Sequence, residues 1–193
     1  MNLSASPLQE LDLSFYGIDN LVYIKRDDLI HNVISGNKWR KLKYNLQYFQ
    51  SISKHGIVSM GGAFSSHILA LSYICNEYKI PCTLLVRGEP SLPVNNILKQ
   101  CLSFNARIKY INREKYKDSL WINALVNESF KDFYFIPEGG ANYFGIYGCQ
   151  KIVKEIMMPF DVIFCEVGTG ATFSGIVSSL SSEQRCFGTV VLK

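Results

Sequence analysis

Three short glycine-flanked segments hold most of the residues able to do chemistry in this 193-residue chain. The first runs Ser35-Gly36-Asn37-Lys38-Trp39-Arg40-Lys41-Leu42. On a helical wheel Lys38 falls with Leu42, Leu46 and Phe49, whereas Arg40, Lys41, Lys43 and Tyr44 point elsewhere. Ser35 is the expected N-cap, and Gly36 permits a tight backbone approach. Desolvation, the positive end of the helix dipole and the neighbouring cations all favour the neutral amine of Lys38. A neutral amine is the nucleophilic form that makes Schiff bases with carbonyl compounds. Taken alone, the segment is equally a helix start whose lysine runs along an apolar edge to water.

The second segment is Ser59-Met60-Gly61-Gly62-Ala63-Phe64-Ser65-Ser66-His67, leading from a strand into a helix. Backbone N–H groups there, with Ser65, make a pocket for a substrate carboxylate, to which His67 adds a hydrogen bond or, if protonated, charge. By itself it is also a capped helix in which Ser65 or Ser66 bonds the first turn. No Gly-x-Ser-x-Gly elbow is present, so a hydrolase triad gains no support. The third segment, Val167-Gly168-Thr169-Gly170-Ala171-Thr172-Phe173-Ser174-Gly175, has the small residues of a phosphate cradle built from main-chain N–H groups. A dinucleotide fingerprint fails because Phe173 occupies the position of its third glycine. A Walker A loop fails because Ile176-Val177 follows Gly175. A small phosphorylated cofactor survives, as does a plain glycine turn. Together, an inward lysine, a carboxylate pocket and a phosphate cradle are what pyridoxal 5′-phosphate chemistry requires.

These segments need a frame, and the hydrophobic pattern supplies one. Strands are expected at Leu21–Lys25, Gly56–Met60, Cys82–Val86, Arg107–Ile111, Phe133–Ile136, Val162–Val167 and Phe187–Leu192. Helices are expected near 37–52, 65–78, 92–102, 114–129, 143–157 and 171–180. This alternation predicts an α/β fold of parallel β–α–β units. The composition is that of a globular chain, 48% hydrophobic and 19% charged, which excludes disordered and collagen-like classes. A formal charge of +4, with scattered cations, argues against nucleic-acid and membrane partners. The six cysteines form no C-x-x-C pair, so reduced thiols are expected rather than a metal site or a disulfide framework. With no leader and no membrane-length apolar run, the expected location is the cytoplasm.

Lys25-Arg26-Asp27-Asp28-Leu29, followed by Ser35-Gly36-Asn37-Lys38-Trp39-Arg40-Lys41-Leu42-Lys43-Tyr44, closely resembles one family. It is similar to the 1-aminocyclopropane-1-carboxylate deaminase / D-cysteine desulfhydrase family of tryptophan synthase β-like, fold type II pyridoxal phosphate enzymes. Pro137-Glu138-Gly139-Gly140-Ala141-Asn142, with Gly145 and Gly148 after it, extends the resemblance over nearly the whole chain. The resemblance implies Lys38 as the Schiff-base lysine and proton-transfer group, with Asn37 as a cofactor contact. It implies Ser65 as a nucleophile or proton relay that also binds the substrate carboxylate. Ser66 would contact cofactor and substrate, His67 the substrate carboxylate, and Gly168, Thr169, Gly170, Ala171 and Thr172 the phosphate. The implied reaction is deamination or desulfhydration of a small amino acid to a 2-oxo acid and ammonia.

The implied architecture is a two-domain fold of three-layer parallel sheets. Residues 1–51 and 146–193 would belong to a large cofactor domain and 52–145 to a small α/β domain. Homo-oligomers are common in the family, so self-association is a further expectation. Two positions depart from the pattern. Serine at 66 replaces the usual asparagine and loses its amide donor, and Ala171 replaces a glycine. Family members also continue beyond the last expected strand, so the large domain is expected to be incomplete. The alternative on this reading is a catalytically inactive, truncated remnant.

Overall fold

A computed structural model of the chain describes residues 3–90 and 93–190. The chain opens with β1 (Leu8–Leu11), which pairs antiparallel with β2 (Val22–Lys25). Helix α1 (Lys38–Ser51) then leads into a run of alternating strands and helices. These are β3 (Gly56–Gly62), α2 (Ser66–Glu77), β4 (Cys82–Arg87), α3 (Asn96–Ser103) and β5 (Arg107–Ile111). After α4 (Arg113–Lys117) and α5 (Ser119–Ser129) come β6 (Phe133–Ile136) and α6 (Tyr143–Lys154). The order closes with β7 (Val162–Val167), α7 (Ala171–Val177) and β8 (Arg185–Val190).

Strands β3 to β6 form one parallel sheet in the order β5-β4-β3-β6. Its central strands read as near-continuous apolar runs because both faces are covered. Ile57, Leu84, Val86 and Ile136 face α2 and α3, together with Leu42, Leu46 and Phe49 of α1. Val58, Met60 and Leu85 face the other way, onto Tyr116 of α4 and Ile122 and Val126 of α5. Helix α1 therefore shares the core of the four-stranded sheet.

A second parallel pair, β7-β8, is covered by α7 and α6 on one face through Cys149, Ile152, Ile176, Ile163 and Cys186. Phe164 and Phe187 lie on the opposite face, stacked 5.5 Å apart and exposed. Four of the free cysteines are buried, and Cys165 and Cys186 are half-buried. Among the described residues, no helix is long and apolar enough to cross a membrane.

Several local expectations need correction. The pairing is not parallel throughout, since the β1–β2 hairpin precedes the first β–α unit. Leu8–Leu11 (Leu-Gln-Glu-Leu) lacks β-branched residues, so its strand is set by pairing with β2 rather than by propensity. Leu21 stays outside β2 and is exposed. The helix expected over 114–129 is broken at Asp118, whose carboxylate accepts from the N–H groups of Leu120 and Trp121 and starts α5. The strand expected at Phe187–Leu192 runs Arg185–Val190, with Val191 and Leu192 outside the described residues, as is Leu92 of the helix expected near 92–102.

The wheel also misplaces two cations. Arg40 and Lys41 are 5% and 6% exposed, not turned to solvent. Arg40 donates to both Asp27 oxygens at 2.6 and 2.7 Å and to both Glu155 oxygens at 2.9 and 2.8 Å. Lys25 adds a 3.0 Å ion pair to Glu155. Beside them α6 crosses α1 so closely that a Cβ on Gly148 would sit 1.8 Å from the Arg40 carbonyl oxygen.

Removing one partner of a buried ion pair strands the other charge, so Asp27→Asn is expected to destabilise the fold by about 3 kcal/mol in urea titration. Hydrogen bonds from Arg40, then Lys25, outweigh burial and hold the Glu155 carboxyl down to about 2. That depressed value means Glu155 stabilises the fold above the ordinary carboxylate range and stops doing so as pH falls through about 2. Glu155→Gln should flatten this part of the acid dependence of unfolding, measured by circular dichroism.

Candidate active site

In an open parallel sheet, the crevice beyond the carboxyl ends lies where the strand order reverses. Here that point falls between β3 and β6. The loop 63–65 leaves β3 on one side of it, and the turn 137–140 leaves β6 on the other. Helix α1 delivers Lys38 to the same region as its first residue, directly after Asn37.

The expected cap at Ser35 is not formed. The chain enters α1 through Asn37, preceded by Gly36 at φ +64°. Asn37 does not cap the helix with its side chain, because its amide is engaged elsewhere. Its Oδ1 accepts from Lys38 Nζ at 2.6 Å, and its Nδ2 donates to Thr172 Oγ1 at 2.7 Å. One short chain of hydrogen bonds thus joins the amine on α1 to the first turn of α7, directly after the glycine loop. Burial first, then the charge of Lys41, pushes the Lys38 ammonium down to about 8, while Cys149 and Glu166 act the other way. The positive end of the α1 dipole acts in the same sense as burial.

In the second segment, Ser65 caps α2 by accepting from the His67 N–H at 3.2 Å. Ser66 follows it, exposed, as the first helical residue. His67 departs from the sequence expectation of an optional charge. It is 2% exposed, its Nε2 lies 2.9 Å from Ser59 Oγ, and burial pushes its pKa down to about 3, with Lys41 and Lys38 adding to the effect. The imidazole is neutral at ordinary pH, and its buried Nδ1 has no partner among the described residues.

In the third segment, Gly168, Thr169 and Gly170 form the turn between β7 and α7, with Gly170 at φ +85°. Ala171 begins α7 and is buried, as is Thr172. The N–H groups of Thr169, Gly170, Ala171 and Thr172 donate to no acceptor among the described residues. A methyl group at 171 leaves those donors in place.

Two contributors were missed by the sequence reading. Lys41 was assigned away from the site, yet it is buried and makes no ion pair among the described residues, and burial lowers its pKa. The turn 138–140 was noted as a motif without a role. A Cβ on Gly139 would sit 2.8 Å from Thr169 Cγ2, and one on Gly140 would sit 3.2 Å from Lys41 Cβ and 3.6 Å from His67 Cε1. This turn therefore packs the glycine loop, the lysine helix and the serine-loop helix against one another. The consecutive glycines at 139 and 140 were the available signal, and both adopt positive φ in the fold.

The assembled site has a buried and a half-buried lysine, Lys41 and Lys38, without carboxylate ion pairs among the described residues, free main-chain donors on a glycine loop and an unpaired imidazole nitrogen. That donor set calls for an anion and offers an amine poised to attack a carbonyl. A small aldehyde carrying a phosphate meets both demands.

Comparison with known proteins agrees. The profile of the family described as "Pyridoxal-phosphate dependent enzyme" matches residues 2–191. A putative 1-aminocyclopropane-1-carboxylate deaminase of Thermotoga maritima is 33% identical over 193 residues, covering 94% of this chain and 61% of that protein. A bifunctional D-cysteine desulfhydrase/1-aminocyclopropane-1-carboxylate deaminase of Arabidopsis thaliana is 30% identical, covering 80% of this chain and 44% of the relative. Among solved structures, an ACC deaminase homologue superposes with a TM-score of 0.82 at 27% identity, covering 100% of this chain and 62% of its own. The chain thus spans about three fifths or less of the length of these relatives.

The electrostatics of α1 give a direct test. Titration of lysine amines by reductive ¹³C-methylation and NMR should show one amine with a midpoint near pH 8, against ordinary values near 10.5, absent in Lys38→Ala. Thr172→Val should leave that midpoint depressed, because burial rather than the hydrogen-bond chain is its main cause.

Proposed function

The chain belongs to the family of pyridoxal-phosphate dependent enzymes, and on that premise we propose that it is a lyase of the deaminase/desulfhydrase kind. Its substrate would be a small amino acid of the 1-aminocyclopropane-1-carboxylate or D-cysteine type, released as a 2-oxo acid and ammonia, with sulfide as well from D-cysteine. The observation that carries this reading is the chain Lys38 Nζ–Asn37–Thr172, which ties the reactive amine to the first turn of α7, directly after the glycine loop.

Each residue then has work suited to its environment. Lys38, with its lowered pKa, has neutral amine available near neutral pH to hold the cofactor aldehyde. The N–H groups of Thr169 to Thr172 and the buried ammonium of Lys41 receive the phosphate, with Asn37 fixing the Thr172 side chain. Ser65 and Ser66, at the start of the 12-residue α2, receive the substrate carboxylate. Neutral His67 supports Ser59 beneath that loop and brings no charge to it. The bound cofactor supplies an electron sink that weakens a bond at the substrate Cα. Lys38 Nζ, with its lowered pKa, would be suited to take and return a proton at the reacting carbon.

The test is a visible absorbance spectrum of purified protein with added pyridoxal phosphate, beside Lys38→Ala. A band near the visible edge, fixed by borohydride onto Lys38 and absent from the variant, is the expected result. Release of 2-oxo acid from 1-aminocyclopropane-1-carboxylate or D-cysteine would then establish the activity. Cofactor fixation without turnover of either would favour the catalytically inactive alternative, and no fixation in folded protein would overturn the reading.

A further inference from the structure

A cavity of about 450 Å³ lies between α1, α6 and the N-terminal segment, and no residue assigned above to cofactor or substrate lines it. Residues 4–6 form one wall. They are held down by the Ser4 N–H, which donates to the Ile30 carbonyl at 2.9 Å, and by Ser6 Oγ, which donates to Asp27 at 2.6 Å. Trp39, Lys43 and Tyr44 of α1 form a second wall, and Gly148 and Lys151 of α6 form a third. A space of this size suits a small organic ligand.

The charges around this cavity do not balance. Arg40 and Lys25 are matched by Asp27 and Glu155 in the ion-pair network. Lys43 and Lys151 are left over, both half-buried and neither in an ion pair among the described residues. Lys43 Nζ sits 5.5 Å from the Tyr44 ring centroid, and Lys151 Nζ sits 5.5 Å from that of Tyr147. The two rings pack edge to face with centroids 4.7 Å apart, so the ammonium groups sit over the two members of one ring pair. Neighbouring cations repel, and an anion of double charge relieves both at once. A phosphate monoester carries about −1.5 to −2 at neutral pH and offers three acceptor oxygens. Trp39 and Tyr44 add aromatic wall against which a flat ring can stack.

We propose that this cavity is a second ligand site, separate from the crevice, and takes an organic phosphate monoester of mononucleotide size that carries a flat ring. The phosphate is received by Lys43 and Lys151 and the ring by Trp39 and Tyr44. A neutral ring compound leaves the two ammonium groups uncompensated, and a phosphate without a ring leaves the aromatic wall unused. The site needs neither Lys38 nor the glycine loop, so it stands independently of the cofactor assignment.

Calorimetric titration with adenosine 5′-monophosphate, adenosine and ribose 5-phosphate separates the two contributions. The protein is first supplied with pyridoxal phosphate, treated with borohydride and freed of excess cofactor, so that the glycine loop is already filled. Adenosine 5′-monophosphate is expected to bind at least about tenfold tighter than adenosine, the scale of a hydrogen bond to a charged group, and about tenfold tighter than ribose 5-phosphate, the scale of ring stacking. Lys43→Gln and Lys151→Gln, both outside the ion-pair network, should each weaken its binding by about tenfold, with folding checked by circular dichroism. No binding, no preference over either control, or binding that survives both substitutions overturns the site. If borohydride fixes no cofactor, the assignment of Lys38 falls. Loss of binding in the two lysine variants would still place the nucleotide in this cavity, so the two failures are read separately.

Discussion

Arg40 donates to Asp27 and to Glu155 from a single buried guanidinium, and this double pairing decides where α1 begins. Asp27 belongs to the segment that follows the β1–β2 hairpin, and Glu155 follows the last turn of α6. A planar, five-donor guanidinium can satisfy two carboxylates at once, which an ammonium cannot. The start of α1 is thereby held from both sides, two residues after Lys38. Farther along the helix, Asn45 Oδ1 accepts from the Tyr134 hydroxyl and from Asn142 Nδ2, each at 2.7 Å. Helix α1 is fixed at several points to the strand and turn that border the crevice.

With the backbone so constrained, the unbalanced charge at the site becomes tolerable. Desolvating the two lysines carries a cost that no carboxylate offsets within ion-pair distance among the described residues. A fold selected for stability alone would place apolar residues there, so the cost points to function. The neutral histidine follows chiefly from its complete burial, and the two nearby cations add to the effect. The turn 138–140 completes the arrangement by packing against the glycine loop, α1 and α2.

Much of this was legible in the residues. The runs at Arg107–Ile111, Phe133–Ile136 and Val162–Val167 match the observed strands residue for residue, since their β-branched and aromatic residues carry the strand signal even where one face stays open. The inward placement of Lys38 was legible because it falls with Leu42, Leu46 and Phe49 on one helical stripe. Lys41 and Arg40 were not, because a wheel assumes one buried face, whereas α1 starts between two packing surfaces, the sheet core and α6. The engagement of Asn37 with Thr172 depends on a partner far along the chain that local patterning does not reveal. Leu8–Leu11 is too short and polar to announce a strand, and only its partner β2 makes it one.

The placement of β6 beside β3, with β4 and β5 and their helices intervening in sequence, has a consequence for how the molecule comes together. Pairings between neighbours in the chain close small loops and form early, whereas β6 must return across the whole intervening stretch. The two sides of the crevice, the loop after β3 and the turn after β6, therefore meet only when that last long-range pairing is made. Ligand competence is a late event on the folding route. A nascent or partly opened chain can possess most of its β–α units and still have nothing with which to grip a ligand.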